Sequence, residues 1–126
     1  MGETVKTLKQ ISPILTTAGN TVTTLLEIVI PNDSQMQLSL SYEALKSDRS
    51  KYYSAEIGVR LVCDASGVVT MPDTVVYKFR KRSASDMINP TINVSTVNKI
   101  IIQVTGIAAT DIRHQCMVLK SKVRIL

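Results

Sequence analysis

The 126-residue chain has no tryptophan, one phenylalanine and four tyrosines. Proteins that hold single-stranded nucleic acid on stacking platforms need exposed rings. Here Tyr42, Tyr53, Tyr77 and Phe79 fall on apolar strand faces, which leaves Tyr52 as the candidate for exposure. Histidine is scarcer still: His114 stands alone, and with two distant cysteines, Cys63 and Cys116, it cannot make a usual tetrahedral metal site. The five glycines are isolated, which excludes a P-loop and a dinucleotide fingerprint. No apolar run approaches the roughly 18–20 residues of a membrane helix. The opening MGETVKTLKQ has no signal-peptide core, and Lys6 stands where a myristoylation motif wants Ser or Thr. The expectation is a soluble protein made inside the cell, with no membrane partner.

The same scarcity bears on catalysis. His114 and Cys116 lie two positions apart on one face of the last strand, about 7 Å from each other, with no third group to orient them as a nucleophile pair. The ten carboxylates fall mostly in turns and on polar strand faces, where solvated charges belong. The chain therefore reads as no enzyme, with no cofactor and no metal. Its two cysteines read as buried free thiols.

What is present is alternation. In residues 35–45, Met36, Leu38, Leu40, Tyr42 and Ala44 share one face, against Gln35, Gln37, Ser39, Ser41 and Glu43 on the other. Residues 52–63 repeat the pattern with Tyr53, Ala55, Ile57, Val59, Leu61 and Cys63 inward. Such a period of two marks half-buried strands of an antiparallel sheet. Further strands are expected over 21–30, 74–80, 91–97 and 99–105, and from Ile112 to about Val123. In the last, the apolar positions change from even (Ile112, Cys116, Val118) to odd (Leu119, Val123, Ile125), which predicts a bulge near Val118 and Leu119. Turns are expected at Pro31–Ser34, Lys46–Lys51, Asp64–Gly67 and Val97–Lys99, with Gly67 supplying a positive φ. Residues 81–90 read as a basic linker with one short helical turn at most. Short strands at this spacing predict an all-β fold, an antiparallel β-sandwich (jelly-roll-like) of seven or eight strands with little or no helix. Residues 1–17 read as an N-terminal arm and 18–126 as a single sandwich domain. The core is expected to hold Leu26, Ile28, Leu38, Leu40, Tyr42, Ile57, Val59, Leu61, Val75, Tyr77, Ile100, Ile102 and Val104.

Fifteen Lys and Arg against ten Asp and Glu leave a net charge of +5. A surplus of that size suits either solubility alone or an acidic partner, whether nucleic acid, an anionic protein surface or lipid. The cations available for such contacts are Lys78, Arg80, Lys81 and Arg82 in one stretch and Lys120, Lys122 and Arg124 in another.

The order of these features resembles the small β-sandwich domains of tailed-bacteriophage structural proteins: tail fibres, head fibres and capsid decoration proteins. The opening run spans Thr24 to Pro31, followed by Ala44 to Asp48, a tyrosine-started strand from Tyr53 to Arg60, and a late turn from Val104 to Thr110. The likeness covers roughly residues 17–123. This sequence departs from the pattern after the late turn, where IRHQCMVLK has no tryptophan. The resemblance implies a non-enzymatic structural protein of the virion that docks to other virion proteins, as a homo-oligomer or on a larger shell. Residues 1–17 and Ser121 to Leu126 would be its docking elements. A basic nucleic-acid-binding β-domain and an RNA-phage-like coat protein are the alternatives, although the strand-like C-terminus is unlike the C-terminal helices of such coats. A sugar- or partner-binding sandwich finds no residue to anchor it.

Overall fold

The computed structural model describes residues 3–6, 11–72, 75–82 and 90–126, with side chains from residue 11 onward except at 78–82. Among these residues there are ten strands and no helix. They are β1 (Glu3–Lys6), β2 (Leu15–Thr17), β3 (Val22–Val29), β4 (Ser34–Lys46), β5 (Tyr52–Cys63), β6 (Val69–Thr70), β7 (Val76–Arg82), β8 (Thr91–Asn93), β9 (Lys99–Thr105) and β10 (Ile112–Ile125). All pairings are antiparallel. A seven-stranded sheet is built around β10, β4 and β5, and a three-stranded sheet runs β3-β9-β8. In the large sheet β1 and β2 both lie along the outer edge of β10, and β6 and β7 along the outer edge of β5. Ten strands thus occupy eight positions of an antiparallel sandwich; β1, β2 and β6, which the sequence did not lead us to expect, are short pieces at the edges of the large sheet.

One apolar cluster joins the two sheets. The alternating faces of β4 and β5 supply Leu38, Leu40, Ala55, Ile57 and Leu61, and the small sheet supplies Leu26, Ile28, Ile100, Ile102 and Val104, all buried. Each leucine, isoleucine or valine among them contributes about 1.5–3 kcal/mol relative to exposure, and Ala55 less. Val75 and Tyr77 pack against the cluster but are only partly buried, because they sit on the edge strand β7 and its approach. In β3 both Leu25 and Leu26 are buried. The pairing with β9 steps from Thr24 to Leu26, so Leu25 is the extra residue of a bulge and can turn inward beside its neighbour.

The turns fall where the sequence places them. Gly67 has φ 86°, and a Cβ there would collide with Asn98 and Val97. Asn98, itself at φ 56°, binds three segments together. Its backbone N–H donates to the Gly67 carbonyl (2.9 Å), and its Nδ2 donates to the Ile30 carbonyl (2.9 Å) and to Asn32 Oδ1 (2.7 Å). The crossing from the small sheet to the large one is thereby fixed to the β5–β6 hairpin and to the start of β9.

Two boundaries differ from expectation. The strand expected over 91–97 ends at Asn93, where Asn93 Oδ1 accepts from the Ser95 N–H at 2.8 Å and turns the chain. β7 runs to Arg82, so Lys81 and Arg82 belong to a strand and not to a linker. Their backbones are in register with Ser54 and Tyr53. The short helical turn considered for 81–90 falls largely on residues 83–89, outside the described residues. Of the N-terminal segment, Glu3–Lys6 and Leu15–Thr17 pair with β10, and between them the Ser12 N–H donates to the Cys116 carbonyl at 2.8 Å. Among the described residues no helix is long and apolar enough to cross a membrane.

Candidate functional site: the basic face of the seven-stranded sheet

The bulge in β10 decides which side chains the large sheet shows to solvent. Up to Val118 the even-numbered residues Ile112, His114, Cys116 and Val118 point inward and are buried. Pairing with β4 then steps from Val118↔Leu40 to Lys120↔Ser39, leaving Leu119 as the extra residue. Beyond it the phase is reversed: Ser121 and Val123 are buried, while Lys120 and Arg124 are exposed and Lys122 is half-buried on the outer face. Leu119, expected on the inward set, is 38% exposed because it occupies the bulge itself.

The register lays out this face residue by residue. Lys122 stands opposite Gln37, and Gln37 opposite Arg60. One step along, Lys120, Ser39, Gly58 and Val76 form a second row across four strands, and at the other end Arg124 faces Gln35. Two adjoining depressions of about 290 and 360 Å³ lie over these rows and share Gln37, Arg60 and Lys122. Their floor is low at Ser39 and Gly58, and a Cβ on Gly58 would meet nothing within 4 Å.

The structure brings together three of the cations singled out from sequence, Lys120, Lys122 and Arg124, and adds Arg60, which sequence reasoning passed over. The second group does not join them. Lys78, Arg80, Lys81 and Arg82 lie on β7, three strand spacings or about 14 Å across the sheet from β10. Lys78 is in register with Glu56, and Arg80 is the extra residue where the pairing steps from Phe79↔Ala55 to Lys81↔Ser54. Their side chains lie outside the described residues.

Beneath the sheet is a sealed polar group. His114, 2% exposed, hydrogen-bonds with Tyr42 OH through Nδ1 (2.6 Å) and with Thr17 Oγ1 through Nε2 (2.8 Å). A neutral imidazole offers one donor and one acceptor, and either hydroxyl can match them, so both nitrogens are satisfied. Burial pushes the imidazole down to about 4, keeping it neutral at pH 7. Burial also pushes the Cys116 thiol up to about 12 and raises the Tyr42 hydroxyl, to which Tyr53 and Cys116 add. Both cysteines are free thiols and fully buried. Among the described residues no three His, Cys, Asp or Glu side chains are grouped to hold a metal ion.

No family model matches the sequence, and no curated protein does. Among solved structures, the crystal structure of the Acinetobacter baumannii phage AM24 tailspike protein is similar with a TM-score of 0.41 and 11% identity, over 98% of this chain and 26% of that one. The chain thus spans about a quarter of that protein's length.

Proposed function

We propose that this chain is a non-enzymatic structural protein of a bacteriophage particle, a capsid decoration, head-fibre or tail-associated component that works by docking to other virion proteins. The observation that carries the docking reading is the outer face of the large sheet, where Arg60, Lys120, Lys122 and Arg124 surround an open trough. A non-enzymatic role is supported by the fate of the one histidine and the two thiols. All three are buried in the core, the imidazole is held at both nitrogens, and both thiols are fully covered among the described residues. The order of strands and turn residues that resembles phage sandwich domains supplies the virion setting. Self-association is part of the proposal, since sandwiches leave sheet edges that assembly can cover.

The decisive experiment is mass spectrometry of purified particles from the phage that encodes the chain. The expected result is recovery in many copies per particle; a protein found only in the soluble lysate would sink the reading. The basic face also admits nucleic acid, and salt separates the two. Docking to protein predicts binding to single-stranded DNA or RNA no tighter than micromolar at about 150 mM salt, the nonspecific range. A nanomolar complex weakened by replacing Lys120, Lys122 and Arg124 with Ala would assign the face to nucleic acid.

A further inference from the structure

Among the described residues the sandwich leaves one long strand edge bare: β3 pairs on one side only, with β9. The other edges are covered, charged or short. β1 and β2 lie along β10, β7 carries Lys78, Arg80, Lys81 and Arg82, and β8 has three residues. Edge cations and short edge strands both discourage pairing with another chain. β3 has neither device. Over eight residues it has no proline and one charge, Glu27, which is already bound to Lys99 Nζ at 3.4 Å. The register shows which residues face the bare edge. The Ile30 N–H donates to the Asn98 carbonyl at 3.0 Å, so the inward residues Ile28 and Ile30 turn their backbone groups toward β9. These directions alternate along a strand together with the side chains, so Glu27 and Val29 turn theirs to the open edge. Across the bulge, Thr24 and Leu26 pair with the adjacent residues Gln103 and Ile102, so Thr24 and Val22 face the open edge as well. The same four residues are the exposed ones of β3, Val22 at 59% and Val29 at 70%.

Val22, Thr24, Glu27 and Val29 are spaced by two, three and two residues, because Leu25 is the extra residue in the middle. Those steps are the same read from either end. A strand laid antiparallel against a copy of itself therefore brings all four into register at once, with Val22 opposite Val29 and Thr24 opposite Glu27, each twice. Any other antiparallel offset matches at most two of the four. We propose that the edge of β3 pairs with the same edge of a second copy of this chain, about a two-fold axis between Leu25 and Leu26. The two three-stranded sheets then become one sheet of six. Such an interface is self-complementary, as a two-fold axis requires. Each exposed valine is covered by a valine of the other copy, and Glu27 faces a threonine and not its like. The proposal rests on the self-association in the reading above and names its surface. A ladder of eight residues is small against the roughly 1,200–2,000 Å² of a stable interface, so a dissociation constant of about 10–100 µM is expected.

Two measurements on the full chain test it. Sedimentation velocity from about 5 to 500 µM is expected to show a monomer passing into a dimer. Val22→Lys should weaken that dimer by about tenfold, and adding Val29→Glu should restore it to within about threefold, because opposite charges then face each other across the axis. The second measurement is oxidative cross-linking, in which the buried Cys63 and Cys116 do not compete. A mixture of Val22→Cys and Val29→Cys chains should form a disulfide-linked dimer, since paired Cα atoms in such a ladder lie about 5.5 Å apart. Either variant alone should not, because its two like positions are roughly 20 Å or more apart along the ladder. A monomer throughout the range, a dimer indifferent to Val22→Lys, no rescue by Val29→Glu, or cross-linking as fast in one variant as in the mixture would overturn the proposal. A chain that dimerises by this edge but is missing from virions overturns the particle reading alone. A monomer recovered from virions overturns the edge pairing alone.

Discussion

The two halves of β10 differ in a way that one residue explains. From Ile112 to Val118 the strand buries a histidine, a thiol and two aliphatic side chains. From Lys120 to Ile125 the same strand, paired with the same neighbour, buries a serine and a valine and turns three cations to solvent. Had the first half's phase continued, Lys120, Lys122 and Arg124 would face the core. An ionised ammonium buried without a partner costs several kcal/mol even after relaxation, and three would exceed the roughly 5–15 kcal/mol by which a domain is stable. The extra residue at Leu119 resolves this conflict. It makes the basic face possible and costs only one unpaired position in the ladder.

Deleting Leu119 is the most severe way to break that comparison. The expected outcome is loss of the cooperative thermal transition in near- and far-UV circular dichroism, because either the cations enter the core or the end of β10 detaches from β4. A deletion variant melting at the parental temperature would show that the bulge does not set the phase. Next in size is Leu40→Ala. Leu40 is fully buried opposite Val118, immediately before the bulge, and the change should cost about 2–5 kcal/mol in urea unfolding. A cost under about 0.5 kcal/mol, the range of a surface change, would mean the two faces of β4 had been interchanged.

Acid sharpens the same contrast, because one half of β10 holds the buried titrating group. The folded imidazole of His114 is depressed to about 4 from an ordinary 6.5. The unfolded chain therefore binds the proton first on acidification. Stability from this group is fully present above pH 6.5 and is lost as pH falls toward 4, by on the order of 3 kcal/mol in total. His114→Gln should remove that part of the slope; a parental slope in the variant would place the acid sensitivity elsewhere. The smallest effect is expected from Leu119→Ala. The bulge needs a residue there and leaves its side chain 38% exposed, so stability should change by about 1 kcal/mol or less. A loss of 2 kcal/mol or more, as for a core leucine, would show that the side chain and not the extra backbone unit holds the turn.

Much of this was legible in the residues. Alternation alone identified β4 and β5 and their inward faces, and the shift from even to odd apolar positions located the bulge beside Leu119. The polar loop between β4 and β5 even constrained their mutual register, so the pairing of Gln37 with Arg60 was within reach of local reasoning. Arg60 was missed because a single arginine on an outward face carries no signal until its neighbours across the sheet are known. The strand at 91–97 was read too long because Val94 and Val97 continue a β-like composition through residues that Asn93 has already turned. The linker at 81–90 was begun too early because four consecutive basic or polar residues look like a loop in one dimension, while β7 continues past a bulge at Arg80 to pair with Tyr53.

The sequence by itself determined the period, the turns and the sign of the surface charge, since each depends on neighbours within a few residues: side chains alternate every two positions, and Gly67 and Asn98 accept φ values that most residues resist. Only the tertiary structure decided which strands lie side by side. The placement of β10 beside β4, and of the N-terminal strands beyond β10, joins residues far apart in the chain. Many such pairings satisfy the same alternation equally well locally, and burial of one common core selects among them. That selection put Lys122, Gln37 and Arg60 in one row beside the row of Lys120, Ser39 and Gly58, and it closed His114 between Thr17 and Tyr42.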